Sequence, residues 1–201
     1  MNLVIATKNQ GKLKEFKEML SDIPLNIVSL RDFQEIDLEE NGKTFEENAV
    51  IKAKRVLEFT GLPTLSDDSG LEVDALGGRP GVYTARYAGP GASDQDNIKK
   101  LLHNLKGVPR DKRGARFVCC LCLALPDGRI FVEQGYLEGY ITFEPKGVMG
   151  FGYDPVFFVP ELGKTLAEAT TKEKNAVSHR SKALEKIKKH LIQYVKGKVE
   201  G

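Results

Sequence analysis

Tryptophan is absent from the 201-residue sequence, and cysteine, methionine and histidine occur only three times each. The cysteines Cys119, Cys120 and Cys122 share one apolar run, residues 117–125. An odd number rules out complete pairing within the chain, and a structural zinc site needs a second pair of ligands. None of His103, His179 and His190 supplies that pair by spacing. Strand alternation would turn Cys120 and Cys122 one way and Cys119 the other, so buried, reduced thiols are expected. An excess of one charge is also missing. Charged residues make up 29% of the chain but the formal net charge is only +2, which offers no general case for nucleic-acid binding. No long apolar run and no basic leader precede or follow the short apolar stretch 2–6, so we expect neither membrane span nor signal peptide, and a cytoplasmic protein. Repeats and low-complexity tracts are lacking too, and the length suits one domain, residues 1–201, with a real core.

What is present concentrates in residues 65–87, LSDDSGLEVDALGGRPGVYTARY, where paired acids, a serine, glycine turns and two arginines lie among apolar residues. Asp67 and Asp68 follow the apolar run 62–65, which predicts two carboxylates near the end of a strand, with Gly70 allowing a sharp turn. Such a pair suits Mg²⁺, which binds one or two carboxylates together with substrate phosphates. An acidic surface turn fits the same residue types equally well.

Residues 3–6 read as a buried strand and 12–20 as a helix with Leu13, Phe16, Met19 and Leu20 on one face. The linking Thr7-Lys8-Asn9-Gln10-Gly11-Lys12 is either an anion site at a helix N-terminus or a plain turn. It lacks the two glycines and GK[ST] of a Walker loop. A strand is predicted at 25–30, then an acidic loop containing Asp37, Glu39 and Glu40. Thr44 and Glu47 form a capping box for a helix that stops at Gly61; its Asn48 and Lys52 either line a pocket or face water. Ser93 caps a helix to Leu105. Residues 115–125 and 130–139 form a hairpin about Pro126-Asp127-Gly128-Arg129. Gly147, Gly150 and Gly152 surround Phe151 and lead through Tyr153-Asp154-Pro155 into a strand at 156–159. That arrangement suits close approach of a flat nucleobase, or simply a glycine-rich turn. A basic C-terminal helix carries Ala183, Leu184, Ile187 and Leu191 inward. Lys174, His179 and Arg180 are placed ahead of it or in its first turn, with Ser178 as a cap. Early alternation of strands and helices followed by a hairpin predicts an α/β fold with a mixed sheet.

Taken together, TKNQGK at Thr7–Lys12, SDDSGLEVDALGGRPGVYTARYAG at Ser66–Gly89, GFGYDPVF at Gly150–Phe157 and SHR at Ser178–Arg180 resemble the inosine triphosphate pyrophosphatase family. The motifs span nearly the whole chain in the family order. The resemblance implies an elongated mixed β-sheet flanked by helices, in two lobes with an active-site cleft between them, and a homodimer. It implies Mg²⁺-dependent hydrolysis of XTP, ITP or dITP to the monophosphate and pyrophosphate, removing deaminated purines from the nucleotide pool, with no nucleic-acid or membrane partner. By motif, Thr7, Asn9 and Lys12, with Lys8, Gln10 and Gly11, would hold the triphosphate. Asp68 would be the catalytic, metal-linked carboxylate, Ser69 a substrate contact, and Glu39 or Glu40 the other metal ligand. Phe151, Gly152, Tyr153, Asp154, Lys174, His179 and Arg180 would enclose base and sugar. Two rivals remain on the residues alone. One is a phosphatase forming an aspartyl-phosphate; the other is an RNA-binding module using the basic helix.

Overall fold

Apolar alternation in residues 2–6 makes a strand, β1 (Asn2–Ala6), whose Leu3 and Ile5 pack on one face and Val4 and Ala6 on the other. The structure, a computed structural model, describes residues 1–33, 36, 38 and 41–199. A seven-stranded sheet runs in the order β2-β1-β3-β4-β5-β6-β7. Its strands are β1, β2 (Asn26–Ser29), β3 (Thr64–Val73), β4 (Gly114–Ala124), β5 (Ile130–Ile141), β6 (Phe157–Val159) and β7 (Lys164–Thr165). β1 pairs in parallel with β2 and β3, while β6 is antiparallel to β5 and β7. The sheet is therefore mixed and, with its helices, α/β. No helix among the described residues is long and apolar enough to cross a membrane.

The chain divides into two compact units, Met1–Asp68 with Cys119–Gly135 and Arg180–Gly201, and Ser69–Val118 with Tyr136–His179. In the first unit, helices α1 (Gln10–Met19) and α5 (His179–Val199) share a core with one sheet face. There Phe16, Leu184 and Ile187 meet Ile5, Leu65, Cys119 and Leu121. Helix α2 (Phe45–Thr60) gives Val56 to the opposite face, against Val4 and Ala6. In the second unit, α3 (Asp94–Asn104) packs Ile98 and Leu101 with Leu71, Val73, Phe117, Tyr153 and Phe157. The three thiols are buried and unbridged; burial pushes Cys120 and Cys122 up to about 12, and Cys119 rises well above its ordinary value for the same reason.

Several local expectations shift. β3 does not end at the paired aspartates: it runs through Asp67, Asp68, Ser69 and Gly70 to Val73, and Gly70 does not take a positive φ. Asp, Ser and Gly are poor strand formers in isolation, but here the flanking ladder and charged partners outweigh propensity. Thr44 caps α2 by accepting the Glu47 N–H, whereas the Glu47 carboxylate takes the N–H of Lys43, one residue outside the predicted box. Residues 154–156 form a 3₁₀ turn, so β6 starts at Phe157. The segment before the last helix is itself helical: α4 (Thr171–Val177) starts from a Thr170–Glu173 capping box, and Ser178 closes it by donating its N–H to Lys174.

Candidate active site

β1 stops pairing with β3 at Ala6↔Ser66, and the polypeptide turns at once into α1. Asn9 is the cap. Its Oδ1 accepts the Lys12 N–H at 3.0 Å, and Thr7 Oγ1 accepts the Asn9 N–H at 3.2 Å. Thr7 is buried, Lys8, Asn9 and Gln10 are exposed, and Gly11 and Lys12 are partly covered. The carboxyl end of a parallel strand opening onto a helix N-terminus is where α/β sheets take anionic ligands.

Immediately beyond that point β3 carries its two aspartates, and strand alternation sends them to opposite faces of the sheet. Asp67 goes with Leu65 toward α1 and α5. There it is bonded by Lys12, by Arg180 Nε at 3.0 Å and by Cys119 Sγ at 3.2 Å. Its side chain is fully enclosed, as is that of Arg180, which also pairs with the buried Glu15 of α1. Burial alone would raise the Asp67 carboxyl, but the charges of Arg180 and Lys12 hold it well below the usual carboxylate range. Asp68 goes with Ser66 toward α2. Asn48 Nδ2 reaches its Oδ2 at 3.1 Å, and Lys52 Nζ lies 3.3 Å from its Oδ1 and 2.6 Å from the Asp67 carbonyl oxygen. Asn48 Oδ1 in turn accepts the Gly42 N–H at 2.8 Å. Asn48 and Lys52 are one helical turn apart, which aims both at one strand residue.

A divalent ion fits this donor set in one way and not in another. Both oxygens of Asp67 are engaged by cationic groups and a thiol on the far face. Strand alternation sets the Asp67 and Asp68 carboxylates on opposite faces of β3, so the two side chains do not converge on one point. Asp68 alone suits a single carboxylate contact of the kind Mg²⁺ uses beside phosphate oxygens. Glu39 and Glu40 lie outside the described residues. Among the described residues, no group of three or more His, Cys, Asp or Glu side chains is placed to hold a metal.

The second unit contains the other cluster. Gly150 and Gly152 take φ of +77° and +61°, and a Cβ at Gly150 would collide with Asp154 Oδ2. That oxygen accepts the Phe151 N–H at 3.0 Å and Lys174 Nζ at 2.6 Å. The Lys174 ammonium lies 4.5 Å from the Phe151 ring centroid, so charge and ring face are locked together. Tyr153 is buried and donates its hydroxyl to the Thr84 carbonyl at 2.9 Å; burial, with Tyr87 and Asp94 nearby, raises its phenol. His179 is buried and stacks on Phe117 with ring centroids 4.9 Å apart. Ser69 is partly exposed on β3.

The structure thus gathers Thr7, Asn9, Lys12 and Asp68 in one unit with Arg180, and Phe151, Gly152, Tyr153, Asp154, Lys174 and His179 in the other with Ser69. The Arg180 guanidinium is engaged by Asp67 and Glu15. Glu15 was missed by sequence reasoning, although an acid three residues after Lys12 on the apolar face of α1 is a signal. Asp94, which accepts the Gly152 N–H at 2.7 Å, carried no such signal.

Comparison with known proteins finds matches over nearly the full length. The Ham1 family pattern matches residues 3–190. The dITP/XTP pyrophosphatase of Geobacter sulfurreducens is 52% identical over 190 residues, 94% of this chain and 96% of that one. The dITP/XTP pyrophosphatase of Bacillus subtilis is 50% identical over 190 residues, with the same two coverages, 94% and 96%. The solved structure of the Staphylococcus aureus Ham1 protein superimposes with a TM-score of 0.86 at 40% identity, covering 96% of this chain and all of that one. On the motif order, the fold and half-identity over nearly its whole length, the chain belongs to the Ham1 family.

Proposed function

We propose that the protein is a dITP/XTP pyrophosphatase, hydrolysing the triphosphates of deaminated purines to the nucleoside monophosphate and pyrophosphate. The observation that carries this is the match, at about half identity over 94% of the chain, to dITP/XTP pyrophosphatases, and the division of labour between Asp67 and Asp68 gives it a chemical footing. Lys12 and the capped N-terminus of α1 attract the triphosphate. Asp67 holds Lys12 in place from beneath. Asp68, kept in position by Asn48 and Lys52, orients the water that attacks the α-phosphorus, and Lys52 offsets charge that builds on the leaving pyrophosphate. A divalent ion, Mg²⁺ in our reading, would be held by Asp68 with Glu39 or Glu40 and would supply charge neutralisation at the phosphates.

The loop of Phe151 to Asp154, with Lys174 and His179, recognises the base. Phe151 offers a ring face, and the two cationic or donor side chains, Lys174 and His179, suit a 6-keto oxygen. The 6-amino group of adenine cannot accept such bonds and would leave buried donors unpaired, which discriminates strongly. The test is pyrophosphate release from ITP, XTP, ATP and GTP with Mg²⁺ present and after chelation. Release from ITP and XTP well above ATP is expected. Equal rates on all four would refute the selectivity, and orthophosphate as the first product would favour an aspartyl-phosphate phosphatase instead.

A further inference from the structure

The N-terminal turn of α3 has an unusual division of roles. Its capping is complete without Asp94: Ser93 accepts the Asp96 N–H, and the Asp96 carboxylate takes the Ser93 N–H. Asp94, exposed in that same turn, is turned instead to the Gly152 N–H at 2.7 Å. One turn further along, the buried Asn97 accepts the Ala88 N–H at 2.8 Å and donates to the Ala85 carbonyl at 3.2 Å. Tyr153, next to Gly152, donates to Thr84 in that same stretch. One helix turn therefore ties residues 84–88 and the Gly150–Asp154 loop to a common frame. The inner side of the loop is braced by Asp154 on Phe151 N–H and Lys174. Among the described residues Asp94 is the side chain that accepts the Gly152 N–H, and Gly152 stands in a left-handed conformation.

We propose that Asp94 is a positioning residue for base discrimination. By accepting the Gly152 N–H it sets the height and tilt of the Phe151 ring and of the Lys174 ammonium held against that ring, and so the preference for 6-keto purines. This rests on the assignment of the Phe151–Asp154 loop to the base. An acid in a helix's first turn also favours the helix dipole, and that role alone would not touch substrate choice.

The variants Asp94→Ala and Asp94→Asn separate the two roles, because asparagine keeps a carbonyl acceptor for Gly152 but loses the charge. Steady-state kinetics on ITP and ATP, with thermal unfolding as a control, are the readouts. Losing one charge-assisted hydrogen bond should cost Asp94→Ala about five- to tenfold in kcat/KM for ITP. The loss should come through KM with kcat unchanged, and the ITP-over-ATP preference should narrow. Asp94→Asn should retain most of the wild-type KM. An Asp94→Ala enzyme with wild-type KM and preference overturns the inference, as does Asp94→Asn failing as badly as Asp94→Ala, or a loss confined to kcat. Inactivity of the wild-type protein on ITP and XTP would overturn both this inference and the base-site reading it rests on; a selective wild type with an unaltered Asp94→Ala overturns the Asp94 role alone.

Discussion

Asp67→Asn should destabilise the protein by about 3–5 kcal/mol at neutral pH, the cost of breaking a buried ion pair from one side. The side chains of Asp67 and Arg180 are 0% and 1% exposed, so water cannot replace what is lost. Asparagine can keep its oxygen for Arg180 Nε, now 3.0 Å from a carboxylate, and for Cys119 Sγ, but then presents its amide N–H₂ toward the Lys12 ammonium. Glu15 still pairs with Arg180, which keeps the expected loss near the lower end of that range. The sign of the pH dependence follows from the depressed Asp67 value. A carboxyl held low when folded contributes stability that is complete above its unfolded value, about 3.9, and is lost as pH falls toward the folded one. The difference between wild type and Asp67→Asn should therefore be constant from about pH 8 to 5 and shrink below about pH 4. With no tryptophan in the chain, urea unfolding followed by far-UV circular dichroism is the suitable assay. A difference under about 1 kcal/mol at pH 7, or one of undiminished size at pH 3, would refute the placement of Asp67 as the charged centre of this cluster.

Asp68→Asn should behave in the opposite way, losing turnover by about 100-fold or more while shifting the urea midpoint less than Asp67→Asn does. An active Asp68→Asn enzyme would remove Asp68 from the chemistry. Gly150→Ala should raise KM for ITP and cost about 1–2 kcal/mol of stability from the left-handed backbone alone. Its new methyl meets the Asp154 oxygen that holds Phe151 N–H and Lys174; unchanged kinetics on ITP would detach that brace from base binding.

How much of this was legible in the sequence depended on how local the cause was. β1, the Asn9-capped α1, and α2 ending at Gly61 follow from apolar period and capping residues within a few positions of each other, and they appear close to where expected. The strand through Asp67–Gly70 was misread because its partners are remote: Arg180 lies 113 residues away and Lys12 lies 55. Without those charges, Asp-Asp-Ser-Gly is a turn by propensity. α4 was overlooked for another reason. Its Thr170–Glu173 capping box was present in the sequence, but the later Ser178 looked like the start of the long helix. Asp94 could not be found at all, since its partner is a backbone N–H 58 residues on, and a backbone group has no sequence signature.

The two adjacent aspartates show why register matters more here than composition. Leu65 in the core shared with α1 and α5, and Ser66 bonded to the Ala49 carbonyl of α2 at 2.6 Å, fix which face each following side chain meets. A slip of one residue would exchange the faces: if Asp68 took Asp67's place in the Arg180–Glu15 cluster, Asp67 would move to Ser66's place on the α2 face and Ser69 would face Asn48 and Lys52. The same two carboxyl groups would still be present, one still buried among charges and the other on the α2 face. The loop after β1 and the first turn of α1 would not move with them, because they are anchored by β1's pairing with β2 and by Asn9. The carboxylate on the α2 face would then stand two residues along the strand, about 6.6 Å, from where Asp68 stands now. Phosphoryl transfer depends on placement to within a fraction of that distance. The alternation of a single strand thus separates a structural acid from a catalytic one, and the neighbours of Leu65 and Ser66, rather than the acids themselves, decide which is which.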